Sequence, residues 1–254
     1  MQRRRRRKSR NRRIVILYLL ILGTVIYIGS QRLKTKPNQE ISQNITQTEK
    51  KPIENINTSN TTGNSQRNQI NDWKLALVNH DNKLPEDYEL ELANIDNLRK
   101  FDSRAISELK EMIEAVRHDG ITNIWVQSAY RDESLQEKLF NDKIAEYMRK
   151  GKSREEARKL TLQVINEPKT SEHNLGLAVD FNYVNEEFDE TKAFEWLQEN
   201  AEDYGFILRY RQDKEDITKV DYEPWHWRYV GVENAKEINR LDMCLEEYVE
   251  YLQK

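Results

Sequence analysis

Residues 171–182 read Ser171-Glu172-His173-Asn174-Leu175-Gly176-Leu177-Ala178-Val179-Asp180-Phe181-Asn182, and the rest of the chain is best read outward from them. After Gly176 the residues alternate with the period of a strand that has one face on a core. Leu177, Val179 and Phe181 belong to that core face, whereas Ala178, Asp180 and Asn182 face the other way. The small Ala178 leaves room for a ligand beside Asp180. His173 stands just before the turn that Gly176 permits, so an imidazole and a carboxylate can converge on one point.

A divalent metal such as zinc takes both donor types and needs a third protein ligand if it is to keep an open coordination position. The chain has only four histidines, which narrows the search. His118 lies at an expected helix end, where the helix dipole favours a cation, and His80 lies in a polar Asn-His-Asp-Asn loop; both read as structural or surface residues. The remaining candidate is His226, in Tyr222-Glu223-Pro224-Trp225-His226-Trp227-Arg228. Pro224 forbids an ordinary helical pairing of Glu223 with His226, and no His-Glu-x-x-His occurs, so a helix-borne metallopeptidase site is excluded.

Beyond this segment the folded texture begins near Asn71. Ile106, Leu109, Met112, Ile113 and Val116 predict a helix capped by Asp102 or Ser103 and closed by Gly120, followed by a strand over Ile124 to Gln127. Capping-box spacings at Ser134/Glu137 and Ser153/Glu156 predict two more helices, the second stopping at Pro168. A helix from Thr191 to about Tyr204 turns Phe194, Leu197 and Ala201 inward and ends at Gly205. Strands are expected at Phe206 to Tyr210 and Trp225 to Val230, then helical turns at 234–240 and 245–252. Helices and strands are segregated without a βαβ rhythm, which predicts an α+β domain.

The net charge of −3 conceals opposite ends. Residues 1–13 carry eight Arg and one Lys with no acid, residues 14–30 carry no charge, residues 31–70 carry six basic and three acidic groups, and so residues 71–254 carry −15. That acidic balance argues against a nucleic-acid partner, and the lone Cys244 rules out a disulfide framework. The apolar run from Ile14 to Gly29 behind nine cations predicts a single-pass membrane anchor with the basic segment in the cytoplasm and everything after residue 30 outside. It lacks a cleavage signal: Gly29 pairs with Tyr27 and Ser30 with Ile28 where two small residues are needed, and no Cys follows. Residues 31–70, rich in Asn, Gln, Thr, Ser and Lys and without an aromatic residue, read as a disordered tether; 40 such residues would span about 35 Å, from roughly 5–6 Å times the square root of length. The sequons at Asn44, Asn57 and Asn60 match what chance gives in such a tract. Residues 71–254 then form one domain of ordinary size, and no feature asks for an obligate protein partner.

The segment Ser171 to Asp180 resembles the Ser-x-His-x-x-Gly-x-Ala-x-Asp signature of VanY-type zinc D-alanyl-D-alanine carboxypeptidases of the hedgehog/DD-peptidase fold, and Glu223-Pro224-Trp225-His226 resembles their second motif. Ser128-Ala129-Tyr130-Arg131 is similar to the third, Ser-Gly-Tyr-Arg, with Ala129 in place of Gly; Lys169 likewise stands where Gly often precedes the serine motif. The similarity runs from about Trp73 to Leu252. It implies a small antiparallel sheet flanked by helices and Zn2+ on His173, Asp180 and His226. It also implies Glu223 as the catalytic base, and Arg131 as a catalytic and substrate-binding cation, with Ser171 and Gln127 as further substrate contacts. The expected activity is removal of the terminal D-alanine from peptidoglycan stem peptides, outside the cell membrane. The same scaffold supports an L,D-carboxypeptidase, and a wall-binding module without catalysis is the reading from another class. Glu223 separates that last reading from an enzyme, because a binding module has no use for a base beside the third ligand.

Overall fold

Strand alternation in two short segments sets the architecture. In the computed structural model, which describes residues 72–86 and 88–254, the expected basic segment, anchor and tether over residues 1–70 lie outside the described residues. A two-stranded ladder pairs β1 (Leu92–Asn94) with β2 (Lys100–Asp102). Four more strands, β3 (Val126–Ser128), β4 (Ala178–Phe181), β5 (Phe206–Leu208) and β6 (His226–Tyr229), form an antiparallel sheet in the order β3-β4-β6-β5. The helices are α1 (Ile106–His118), α2 (Glu133–Arg149), α3 (Arg154–Leu162), α4 (Glu172–Leu175), α5 (Lys192–Asn200), α6 (Glu215–Thr218), α7 (Val232–Leu241) and α8 (Leu245–Tyr251). The domain is therefore α+β with small antiparallel sheets, as expected. None of the described helices is long and apolar enough to cross a membrane.

The two faces of the larger sheet do different work. Val179, Phe181, Phe206, Trp227 and Tyr229 pack with Leu109, Met112 and Val116 of α1 and with Phe194 and Leu197 of α5 into the main core. Burying such a side chain is worth about 1.5–3 kcal/mol, so this face supplies most of the driving force. On the other face Ile207 meets Ala235 and Ile238 of α7 and Leu245 and Tyr248 of α8 in a second cluster. Between that cluster and the open edge of the face lie the charged residues of β4 and β6.

Several element ends differ from expectation for local reasons. Neither Asp102 nor Ser103 caps α1; its N-cap is Ala105, and the Asp102 carboxylate is drawn instead to the backbone N–H and guanidinium of Arg104. Helix α2 starts two residues earlier than a Ser134 cap would place it, because Asp132 is the cap and accepts from Leu135 N at 2.7 Å. The Ser153/Glu156 capping box is present, but α3 ends at Leu162, well before Pro168; the carbonyl of Thr161 accepts from both Val164 and Ile165. The strand expected over Ile124 to Gln127 is displaced to Val126–Ser128.

Gly176 does what the sequence asked of it. It ends α4 in the left-handed region at φ 78°, and a Cβ there would come within 3.0 Å of Leu90 Cδ1. The two departures from the family pattern also resolve. Lys169 takes φ 66°, a conformation glycine adopts without cost, whereas buried Ala129 has no positive φ and is tolerated without strain.

Candidate metal centre

Three strands and one helical turn bring the site together. Asp180 on β4 lies directly opposite His226 on β6, so two candidate ligands form a cross-strand pair. Serine 171 caps α4, its Oγ accepting from His173 N at 3.3 Å, and the turn presents His173 over the same face. Strand β3 joins through a bulge: Val126 pairs with Phe181 and Ser128 with Asp180, so two residues of β3 advance against one of β4. That extra residue lets Val126 share the core side while Ser128 reaches the site side.

The donors converge as expected. One ligand atom each from His173, Asp180 and His226 lies within 4.8 Å of the others, and all three residues are buried. His173 Nε2 is 3.2 Å from Asp180 Oδ2, and His226 Nδ1 is 3.0 Å from Asp180 Oδ1. His173 Nδ1 is 2.7 Å from the Ala129 carbonyl, which can only accept; that nitrogen therefore carries the hydrogen, and Nε2 turns its lone pair to the site. Glu223 Oε2 stands 3.7 Å from His226 Nδ1. Arg131 donates from Nη2 to Asp180 Oδ2 at 2.5 Å and from Nε to Ser128 Oγ at 2.7 Å. Its backbone is pinned as well, since Arg131 N donates to His173 O and Asn174 Nδ2 donates to Arg131 O.

The electrostatics follow from burial and from these contacts. Burial, assisted by the Arg131 charge, lowers His173 to about 4. Burial also opposes a charge on His226, but the hydrogen bond to Asp180 and the nearby Glu172 carboxylate outweigh it and raise the imidazole to about 9. Desolvation works against the Asp180 carboxylate too, yet His173 and Arg131 hold it well below the usual range. Desolvation dominates at Glu223 and pushes it up to about 8, the behaviour of a carboxyl suited to taking and releasing a proton near neutrality.

Among the other expectations, the surface placement of His118 and His80 holds. His118 is exposed at the end of α1, beside Asp119, and His80 is exposed beside Asp81; neither approaches the cluster. The space beside Asp180 that small Ala178 was expected to leave for a ligand is occupied by protein: Ala178 lies opposite Arg228 and both are fully buried. Ser171 is buried and its Oγ accepts the α4 cap hydrogen bond, which leaves the hydroxyl hydrogen to donate elsewhere, and Gln127 Oε1 accepts from Trp125 Nε1 at 3.3 Å. Sequence reasoning missed a buried charge network behind the site. Glu172 Oε1 accepts from Arg209 Nε at 2.7 Å and Arg228 Nη1 at 2.9 Å, and Arg209 in turn grips Glu246 of α8 with both terminal nitrogens, at 2.8 and 2.6 Å. The available signal was alternation, which puts Arg228 on the same strand face as His226.

The donor set suits a borderline divalent ion. Two imidazole nitrogens and one carboxylate oxygen are the ligand types zinc takes, and three protein donors leave a position for substrate or solvent.

Comparison with known proteins gives the site a context. Residues 98–232 match the VanY model, described as D-alanyl-D-alanine carboxypeptidase. A D-alanyl-D-alanine carboxypeptidase of Enterococcus faecalis is 41% identical over 178 residues, covering 70% of this chain and 66% of that protein. Among solved structures, a vancomycin-resistance D,D-pentapeptidase VanY mutant from a VanB-type cassette, in complex with Zn(II), matches with TM-score 0.64 at 41% identity over 70% of this chain and 99% of that one. The LD-carboxypeptidase LdcB matches with TM-score 0.59 at 35% identity over 70% of this chain and 86% of that one.

Proposed function

Because the chain belongs to the VanY family of D-alanyl-D-alanine carboxypeptidases, we propose that it is a membrane-anchored zinc D,D-carboxypeptidase that removes the terminal D-alanine from peptidoglycan stem peptides. The observation that carries this reading is the convergence of His173, Asp180 and His226 with Glu223 at 3.7 Å from His226 Nδ1. His173, Asp180 and His226 would hold the ion. Zinc in such a site supplies Lewis acidity, which polarises a carbonyl and acidifies water.

The remaining steps belong to the chain's own side chains. Glu223 takes the proton that the attacking water gives up and returns it to the amine of the departing D-alanine as the C–N bond breaks. Its burial makes the carboxylate a stronger base than an exposed glutamate would be. Arg131 holds Asp180 in place, and its guanidinium can also clamp a substrate carboxylate or stabilise the oxyanion. Gln127 and Ser171 would be further substrate contacts, through the Gln127 Nε2 and the Ser171 hydroxyl hydrogen that their present hydrogen bonds do not use.

Likeness to LdcB favours a second reading, in which the same machinery removes D-alanine from tetrapeptide stems as an L,D-carboxypeptidase. Mass spectrometry of purified muropeptides after incubation with the enzyme separates the two. Conversion of pentapeptide to tetrapeptide stems is expected; conversion of tetrapeptide to tripeptide alone would move the assignment to the L,D class, and unchanged stems would leave a wall-binding module.

The placement outside the cell membrane rests on nine cations before an uncharged apolar run. The full-length protein should fractionate with membranes and be digested from outside in protoplasts. A soluble mature form starting near residue 31 would replace the anchor with a cleaved signal peptide.

A further inference from the structure

Glu172 takes no part in the reaction above, yet it is fully buried between the site and the C-terminal helices. Its two carboxylate oxygens have unequal surroundings. Oε1 accepts from Arg209 and Arg228, whereas Oε2 has no hydrogen-bond partner among the described residues. The nitrogen facing Oε2, at 3.5 Å, is His226 Nε2, which is itself buried and without a partner. Two complementary buried groups thus stand opposite each other, and each is otherwise unmet. Leaving either unsatisfied costs its full desolvation penalty, so the contact is resolved when Nε2 carries a hydrogen and donates it to Oε2.

A neutral imidazole has only one N–H, and metal ligation requires the neutral ring. A hydrogen on Nε2 therefore leaves the Nδ1 lone pair free, and Nδ1 is the atom that faces Asp180 and Glu223. At His173 the arrangement is inverted, with Nδ1 committed to the Ala129 carbonyl and Nε2 facing Asp180. We infer that Glu172 is a positioning residue that locks His226 in its Nε2–H tautomer, so that the two histidines meet the metal through different nitrogens. Arg209 and Arg228 fix the carboxylate that does this. Glu246 on α8 holds Arg209, and the Lys74 and Ala76 carbonyls accept from Arg228 Nη2 at 2.9 Å each, which ties the tautomer to the packing of both ends of the domain.

This inference rests on the zinc reading and deepens it, so the experiment must separate the two. With only four histidines in the chain, 15N-histidine NMR of the full-length protein in mild detergent is tractable. Long-range 15N–1H couplings, recorded before and after zinc addition, report which nitrogen is protonated and which is ligated. The expected result is zinc on His226 through Nδ1 with Nε2–H retained, and zinc on His173 through Nε2. Zinc that engages both rings but takes His226 through Nε2 overturns this inference alone. Zinc that leaves both rings unchanged overturns the zinc reading, and this inference with it.

The variant Glu172→Gln sharpens the test. Its amide oxygen would stay with the two arginines and its NH2 would turn to His226 Nε2, favouring the wrong tautomer. Zinc affinity, measured by competition with a chromophoric chelator, should fall about 10- to 100-fold. Unaltered affinity in a folded Glu172→Gln protein would overturn the inference. Should that variant not fold, the wild-type couplings decide the matter by themselves.

Discussion

Replacing Glu223 with Gln should lower turnover on a D-alanyl-D-alanine peptide by about a hundred- to ten-thousand-fold, the usual contribution of a positioned general base. That corresponds to roughly 3–5.5 kcal/mol of lost transition-state stabilisation, at about 1.36 kcal/mol per decade. Zinc content and thermal stability should change little. Among the described residues the Glu223 side chain has no hydrogen-bond partner; what ties the residue down is its backbone, with N donating to the Tyr210 carbonyl and the carbonyl accepting from His226 N. Burial opposes its charge in any case, so a neutral isostere of nearly equal volume imposes no new desolvation penalty. Stopped assays of D-alanine release, alongside metal analysis and a melting curve, read all three quantities. Near-normal turnover would make Glu223 structural. Loss of zinc together with activity would make it a ligand or an essential support of one.

The reason Glu223 and its neighbours could be found at all is that the chemistry is carried by contiguous residues. His173 and Asp180 are linked by one turn and one strand, and strand alternation places Asp180 on a face of its own without any knowledge of tertiary structure. The pairing of Asp180 with His226 is different: 46 residues separate them, and their register depends on β6 finding its place between β4 and β5. Elimination among the four histidines and the resemblance of Glu223 to His226 to a known motif connect the two segments, but neither supplies the register. The charged residues behind the site were illegible for another reason. Glu172, Arg209 and Arg228 have the composition of a solvated surface, and it takes their mutual neutralisation at 2.7 and 2.9 Å to make burial affordable. The short ladder of β1 and β2 gave too little apolar pattern to be expected. Helix starts were misplaced where acceptors compete: Asp132 and Ser134 can each cap α2, and the Asp132 carboxylate, which accepts from Leu135 N, takes the place.

The second large effect is expected at His226, and it differs in kind from that at Glu223. His226→Ala removes one of three protein donors, so bound zinc and activity should disappear together, and added zinc should not restore either at concentrations that saturate the wild type. In the wild-type protein a chelator should also abolish activity, but reversibly: zinc at neutral pH restores it, and mild acid hinders the recovery because His226, raised to about 9, must lose a proton to bind the ion, whereas His173, lowered to about 4, is already neutral. The truncation also leaves Asp180 Oδ1 and Glu172 Oε2 facing a cavity in place of a ring. Some loss of stability is therefore expected on top of metal loss, since removing one partner of a buried charged cluster typically costs about 3–5 kcal/mol. Comparing metal-free melting curves of the two variants separates the contributions: Glu223→Gln should melt like the wild type, His226→Ala below it. Elemental analysis then gives the decisive number. A His226→Ala protein that retains a full equivalent of zinc, or a wild-type protein that keeps full activity with its metal stripped, would each defeat the assignment of His173, Asp180 and His226 as the metal site.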